Sequence, residues 1–105
     1  MKKLLGILLI VMTFSSTAQA VWQSVNAQVR VNNSSVRAKV SNVWGNAIVC
    51  RGYAYAESYY GYYANSYMNN VVIYPGRYAY VYVNANNPNQ DPIVRGWANI
   101  ECAWY

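Results

Sequence analysis

Histidine is absent from the 105-residue chain, and with it the commonest general base and the commonest metal ligand. A Ser-His-Asp or Cys-His nucleophile cannot be assembled. Paired-carboxylate chemistry needs two acids that converge on one bond, yet beyond residue 20 the only acids are Glu57, Asp91 and Glu101. They fall at a strand end, in a loop and on an outward strand face. Lys39 shares a strand face with Arg37 and Ser41, so its amine is solvated rather than a desolvated nucleophile. There is no glycine-rich phosphate loop and no acid-dense calcium loop. Cys50 and Cys102 have neither C-x-x-C spacing nor a histidine to complete a metal set. The residues therefore predict a protein that is not an enzyme and that uses no cofactor and no metal.

What remains is aromatic chemistry. All of the chain's 12 tyrosines and 4 tryptophans lie beyond residue 20. Tyrosine joins a large contact area to a small loss of side-chain entropy and carries a hydroxyl, and its flat ring stacks on sugars and on other rings. Tyr53 and Tyr55 alternate with small residues in one segment, and Tyr78, Tyr80 and Tyr82 do so in another; these five form the first candidate binding surface. Tyr59, Tyr60, Tyr62 and Tyr63 flank Gly61 and form a second. Each set has a plainer alternative: cross-strand tyrosine pairs that only stabilise a sheet at about 0.2–1 kcal/mol each, and a hydrophobic lid over one end of the core. The partner expected for such a surface is a protein or a cell-wall or extracellular glycan. Nucleic acid is not expected, because the cations Arg30, Arg37, Lys39, Arg51, Arg77 and Arg95 are spread through the sequence without a run.

The chain start sets the compartment. Lys2 and Lys3 precede an apolar run from Leu4 to Met12, and Ala18-Gln19-Ala20 follows at a signal peptidase's distance. Residues 1–20 read as a secretory signal peptide, too short in its apolar run to span a bilayer. The rest, 21–105, reads as a single secreted or periplasmic domain with no membrane span. No cysteine lies near the cut, so lipid anchoring is not expected. In an oxidising compartment the two cysteines, Cys50 and Cys102, are expected to form one disulfide.

The elements that must position these residues read as strands. The mature segment lacks Leu and Phe, so its core must be built from Val, Ile, Ala and aromatic rings, which is strand chemistry. Val25 to Val31 alternates with a period of two and predicts one strand, ahead of an Asn32-Asn33-Ser34-Ser35 turn whose sequons serve simply as turn residues. Val36 to Val43 predicts the next. Ala47 to Glu57 places Ile48, Cys50, Gly52, Ala54 and Ala56 on one face and Val49, Arg51, Tyr53 and Tyr55 on the other. Tyr62–Met68 predicts an edge strand, Asn69-Asn70 a break, and Val71–Tyr74 a short run stopped by Pro75-Gly76. From Arg77 to Asn84, Ala79, Val81 and Val83 alternate strictly with the tyrosines and suit the core better, so the tyrosines are expected to point outward. After a polar loop at Ala85–Pro92 the last strand runs from Ile93 to Trp104, with Val94, Gly96, Ala98, Ile100 and Cys102 on its apolar face. Both cysteines thus fall on apolar faces. Six or seven strands with turn signals between them predict an all-β antiparallel fold, a β-sandwich or a small barrel, and the β-sandwich is the expectation adopted.

The run Val36-Arg-Ala-Lys-Val-Ser-Asn42, the strand Ala47 to Glu57 and the segment Ile73-Tyr-Pro-Gly-Arg-Tyr-Ala-Tyr-Val-Tyr-Val83 together resemble small immunoglobulin-like β-sandwich domains of exported bacterial proteins, the FxLYD-type pattern. About half of the mature chain is covered. The chain departs from the pattern in its disulfide, its extra N-terminal strand and the lack of a strand after Cys102. The resemblance implies an immunoglobulin-like topology and a role in binding or assembly. It also implies that the strands of Tyr53 and Tyr55 and of Tyr78, Tyr80 and Tyr82 are neighbours, so that five tyrosines share one outer face. A subunit of an envelope or extracellular assembly is the alternative function. An amyloid subunit should show a repeat. A membrane barrel needs at least eight strands and a final strand with an apolar outer face, which Ala103, Glu101, Asn99 and Trp97 do not supply.

Overall fold

The computed structural model describes residues 21–105; the expected signal peptide, residues 1–20, lies outside the described residues. Seven strands and no helix make up the described fold: β1 (Gln23–Val25), β2 (Gln28–Val31), β3 (Ser35–Ser41), β4 (Ile48–Ser58), β5 (Tyr63–Ile73), β6 (Tyr78–Asn84) and β7 (Ile93–Trp104). They form two antiparallel sheets, a four-stranded one ordered β1-β7-β4-β5 and a three-stranded one ordered β2-β3-β6. No described helix is long and apolar enough to cross a membrane.

The core lies between the sheets and is made from the alternating positions. Val36, Ala38 and Val40 of β3, Ile48, Cys50, Ala54 and Ala56 of β4, and Val81 and Val83 of β6 are all buried. Small β-branched and alanine side chains at every second position give each strand one dry face, and the two dry faces meet. Cys50 and Cys102 sit directly opposite each other on β4 and β7 and are joined by a disulfide, which ties two neighbouring strands of one sheet at the core. The segment between Val25 and Val31 is not one strand. It changes sheets at Asn26-Ala27, so β1 pairs with β7 and β2 with β3. Period-two alternation is the same on either sheet, so the crossing leaves no mark in the pattern.

Two bulges correct the expected strand faces. Between Cys50 opposite Val71 and Gly52 opposite Met68, Arg51 faces two residues, Asn69 and Asn70, and Asn70 adopts a positive φ of 49°. The asparagine pair is therefore a bulge inside one continuous strand, not a break between two. It resets the alternation by one residue, which lets Met68 and Ile73, an odd number of positions apart, both reach the core. A second extra residue, Val94, separates the pairs Glu57–Arg95 and Ser58–Ile93. Val94, expected inside, is 55% exposed, while Ile93 is buried.

One buried polar side chain closes the end of the sandwich. Asn42 donates from Nδ2 to the carbonyls of Asn46 and Ile73, both at 2.8 Å, and its Oδ1 accepts from the Trp44 N–H at 2.8 Å. Its backbone N–H bonds the Arg77 carbonyl and its own carbonyl accepts from the Gly76 N–H. The residue pins the β3–β4 connection to the Pro75-Gly76 turn and the end of β5.

Candidate functional site

The outward positions of β4, β5 and β7 carry a run of aromatic rings. Register places Tyr67, Tyr53 and Asn99 in one row across the sheet and Asn65, Tyr55 and Trp97 in the next. Centroid distances are 4.8 Å from Tyr67 to Tyr53, 5.8 Å from Tyr53 to Tyr55 and 5.4 Å from Tyr55 to Trp97, the last pair within 17° of parallel. Tyr63 meets Trp97 edge-on at 6.4 Å. These are contact geometries for offset and edge-to-face ring pairs, so five side chains from three strands form one ladder.

Charged pairs close both ends of the ladder. Arg51 Nε donates to Glu101 Oε2 at 2.8 Å, and the Arg51 guanidinium lies 3.7 Å over the Trp22 ring. Arg95 Nε donates to Glu57 Oε1 at 2.7 Å and sits 4.7 Å over Trp97. Both ion pairs are substantially exposed, so each contributes on the order of 0–1 kcal/mol and acts mainly to hold the side chains in place. Between Arg51, Tyr53, Tyr55, Tyr67 and Asn99 the sheet surface dips into a shallow cleft of about 330 Å³.

The first candidate set is split by the structure. Tyr53 and Tyr55 belong to the four-stranded sheet, whereas β6, with Tyr78, Tyr80 and Tyr82, pairs with β3 in the other sheet. The five rings therefore do not share a face; they lie on opposite outer faces of the sandwich. The β6 tyrosines do point outward, and they stack on one another with centroids 5.3 and 5.6 Å apart. The rings missed by sequence reading are Tyr67, Trp97 and Trp22. Trp97 was legible as outward by alternation, but its partnership with Tyr55 is a matter of register.

The second set divides as well. Tyr59, Tyr60, Tyr62 and Tyr63 are each more than two-thirds exposed, so they do not form a lid over the core. Only Tyr63 joins the ladder. The turn itself is held by the Ser58 N–H bond to the Tyr62 carbonyl, by Gly61 at φ 90°, and by Asp91 accepting from the Tyr60 N–H. The Asn32 side chain likewise folds back on its turn, accepting from the Ser34 and Ser35 N–H groups.

Each acid is thus occupied separately: Glu57 and Glu101 by arginines, Asp91 by a backbone N–H. Among the described residues no group of three His, Cys, Asp or Glu side chains could hold a metal ion. Another cleft, of about 400 Å³ near Val25, Val40, Trp44 and Ile48, has a mainly apolar surface and holds one titratable group, Lys39. No family model, no curated protein and no solved structure matches the chain, so its chemistry is read from these side chains alone.

Proposed function

We propose that the chain is an exported, non-enzymatic binding module whose contact surface is the aromatic ladder of the four-stranded sheet, with a glycan or another protein as its ligand. The observation that carries this reading is the continuity of Tyr67, Tyr53, Tyr55, Trp97 and Tyr63. Rings already held against one another lose little further freedom on binding. Their faces suit the C–H faces of sugars or apolar side chains, and the phenol hydroxyls and flanking ion pairs supply polar contacts. The disulfide is compatible with an oxidising compartment, and the Lys2-to-Ala20 pattern supports export. The resemblance to small immunoglobulin-like domains of exported proteins points the same way. The absence of histidine and the separate engagement of all three acids support a role without catalysis.

The test is capture of native envelope glycan and protein fractions by immobilised mature chain. Tyr55→Thr is expected to weaken capture at least tenfold, and Tyr59→Ser, in the turn outside the ladder, to leave it intact. Equal capture by wild type and Tyr55→Thr would return the ladder to a purely structural role.

A second reading, a subunit of an extracellular assembly, is favoured by one feature. Edge strand β5 has eleven residues with no charge and no proline, the devices that normally guard an open edge. Its Asn69-Asn70 bulge is the one interruption. Sedimentation across a hundredfold concentration range decides: polymers growing from β5 support this reading, and a persistent monomer removes it.

A further inference from the structure

The outer face of the three-stranded sheet differs in kind from the aromatic ladder. The sheet gathers cations that the sequence spreads apart. Arg30 of β2 stands directly opposite Arg37 of β3, with Tyr82 of β6 completing the row; Gln28, Lys39 and Tyr80 form the next row. Val29, Ala38 and Val81 turn inward between them, so Arg30, Arg37 and Lys39 occupy one outward patch. Directly opposed residues have Cβ atoms about 5 Å apart, and positions two apart on a strand are separated by about 7 Å. Two like charges directly opposed destabilise a sheet, and no acid relieves them. The described ion pairs are Arg51–Glu101 and Arg95–Glu57, both on the other sheet, and Asp91 lies in the β6–β7 loop.

Tyrosines hold two of the three cations in place. The Arg37 guanidinium lies 5.0 Å over the Tyr80 ring, and the Lys39 ammonium 4.4 Å over the Tyr78 ring. One face of each of these two rings is therefore taken by a cation. Those two faces serve as pedestals for cations and not as open platforms on which a base or a sugar could stack. What the face offers is an array of three positive groups, Arg37 and Lys39 held over rings and Arg30 beside them. Two of the three are guanidinium forks suited to carboxylate or sulfate, and the array is bordered by the Gln28 amide and the tyrosine hydroxyls.

We propose that this face binds an acidic polysaccharide, with Arg30, Arg37 and Lys39 each taking a carboxylate or sulfate of the chain. Charge complementarity points to a polyanion, and three features select its class. Single-stranded nucleic acid is held through stacking on successive open aromatic faces, whereas Tyr78 and Tyr80 here each hold a cation over one face. The major groove of duplex DNA admits a helix or a two-stranded ribbon, whereas this is a three-stranded face backed by a second sheet. The disulfide is compatible with an oxidising compartment, which suits an extracellular glycan better than an intracellular nucleic acid. The proposal does not rest on the aromatic ladder.

Binding of the mature chain to polygalacturonate and to dextran sulfate is measured by calorimetry at two salt concentrations, with neutral dextran, single-stranded DNA and anionic phospholipid vesicles as the other arms. The expected result is salt-sensitive binding of at least one acidic polysaccharide and none of neutral dextran. The triple variant Arg30→Gln, Arg37→Gln, Lys39→Gln is expected to bind at least thirtyfold more weakly and with a flatter salt dependence. Arg77→Gln, which removes a charge from the Pro75-Gly76 turn outside the array, should change affinity less than threefold. Because it relieves an unpaired repulsion, Arg30→Gln alone should unfold at the same temperature as wild type or higher, which separates loss of binding from loss of fold. Tighter binding of DNA or vesicles than of either polysaccharide overturns the proposal, as does a triple variant that binds like wild type or a failure to bind either acidic polymer.

Discussion

Asn42→Ala removes three side-chain hydrogen bonds at a position only 1% exposed. The consequences are unequal. The Trp44 N–H and the Asn46 carbonyl lie in an exposed turn, where water can replace the asparagine at a cost of about 0.5–1 kcal/mol each. The Ile73 carbonyl is on a residue that is 2% exposed, and leaving it unpaired costs about 1–3 kcal/mol. The sum, about 2–5 kcal/mol, is a large part of the roughly 4–13 kcal/mol expected for a domain of this length. It corresponds to a fall in Tm of roughly 8–40 °C. Asn42→Asp sharpens the test because it keeps the shape and the acceptor for Trp44 but places a carboxylate against two carbonyls. Burial and those carbonyls favour the protonated acid, raising the carboxyl's folded-state pKa above its unfolded value. The native state then binds more protons than the unfolded one as pH rises from about 4, so this variant loses stability with rising pH and regains it in acid. Urea unfolding at pH 4 and pH 8 followed by tryptophan fluorescence measures both effects. An Asn42→Ala variant within 0.5 kcal/mol of wild type, or an Asn42→Asp variant no less stable at pH 8 than at pH 4, would refute the reasoning.

Three further outcomes follow from the packing. Joint replacement of Cys50 and Cys102 by alanine should lower stability by about 2–5 kcal/mol, since the bond closes a 52-residue separation; thiol titration of the wild type without reductant should find no free thiol. Gly52→Ala should cost at least about 2 kcal/mol in urea unfolding, because Gly52 has φ 146° and an added Cβ would lie 2.1 Å from the Asn99 carbonyl oxygen on the neighbouring strand. Tyr80→Thr should cost only about 1–2 kcal/mol, the worth of its ring and cation contacts, while Ile100→Ala on a buried face should cost about 2–5 kcal/mol; the reverse order in chemical denaturation would mean that the faces are exchanged.

Alternation is a local property, and the sequence by itself determined what depends on it. The strict interleaving of Tyr78, Tyr80 and Tyr82 with Ala79, Val81 and Val83 fixed which side of β6 is dry, because successive residues in a strand point to opposite faces whatever the strand pairs with. The same logic put Cys50 and Cys102 on inward faces and made their disulfide legible, and Pro75-Gly76 marked its turn through its own backbone preferences. What only the tertiary structure decided depends on partners distant along the chain. The placement of β6 beside β3 separated Tyr80 from Tyr55, and the register of β4 with β7 stacked Tyr55 on Trp97. The bulges at Asn69-Asn70 and Val94 are defined by the opposing strand, so alternation read along one segment carried past them and reversed the faces of Val94 and Ile93. Arg30 and Arg37, seven positions apart, became direct neighbours only through the register of β2 on β3. A strand's own residues specify its faces, but the free energy of pairing selects its neighbours, and both the ladder and the cationic face are properties of neighbours.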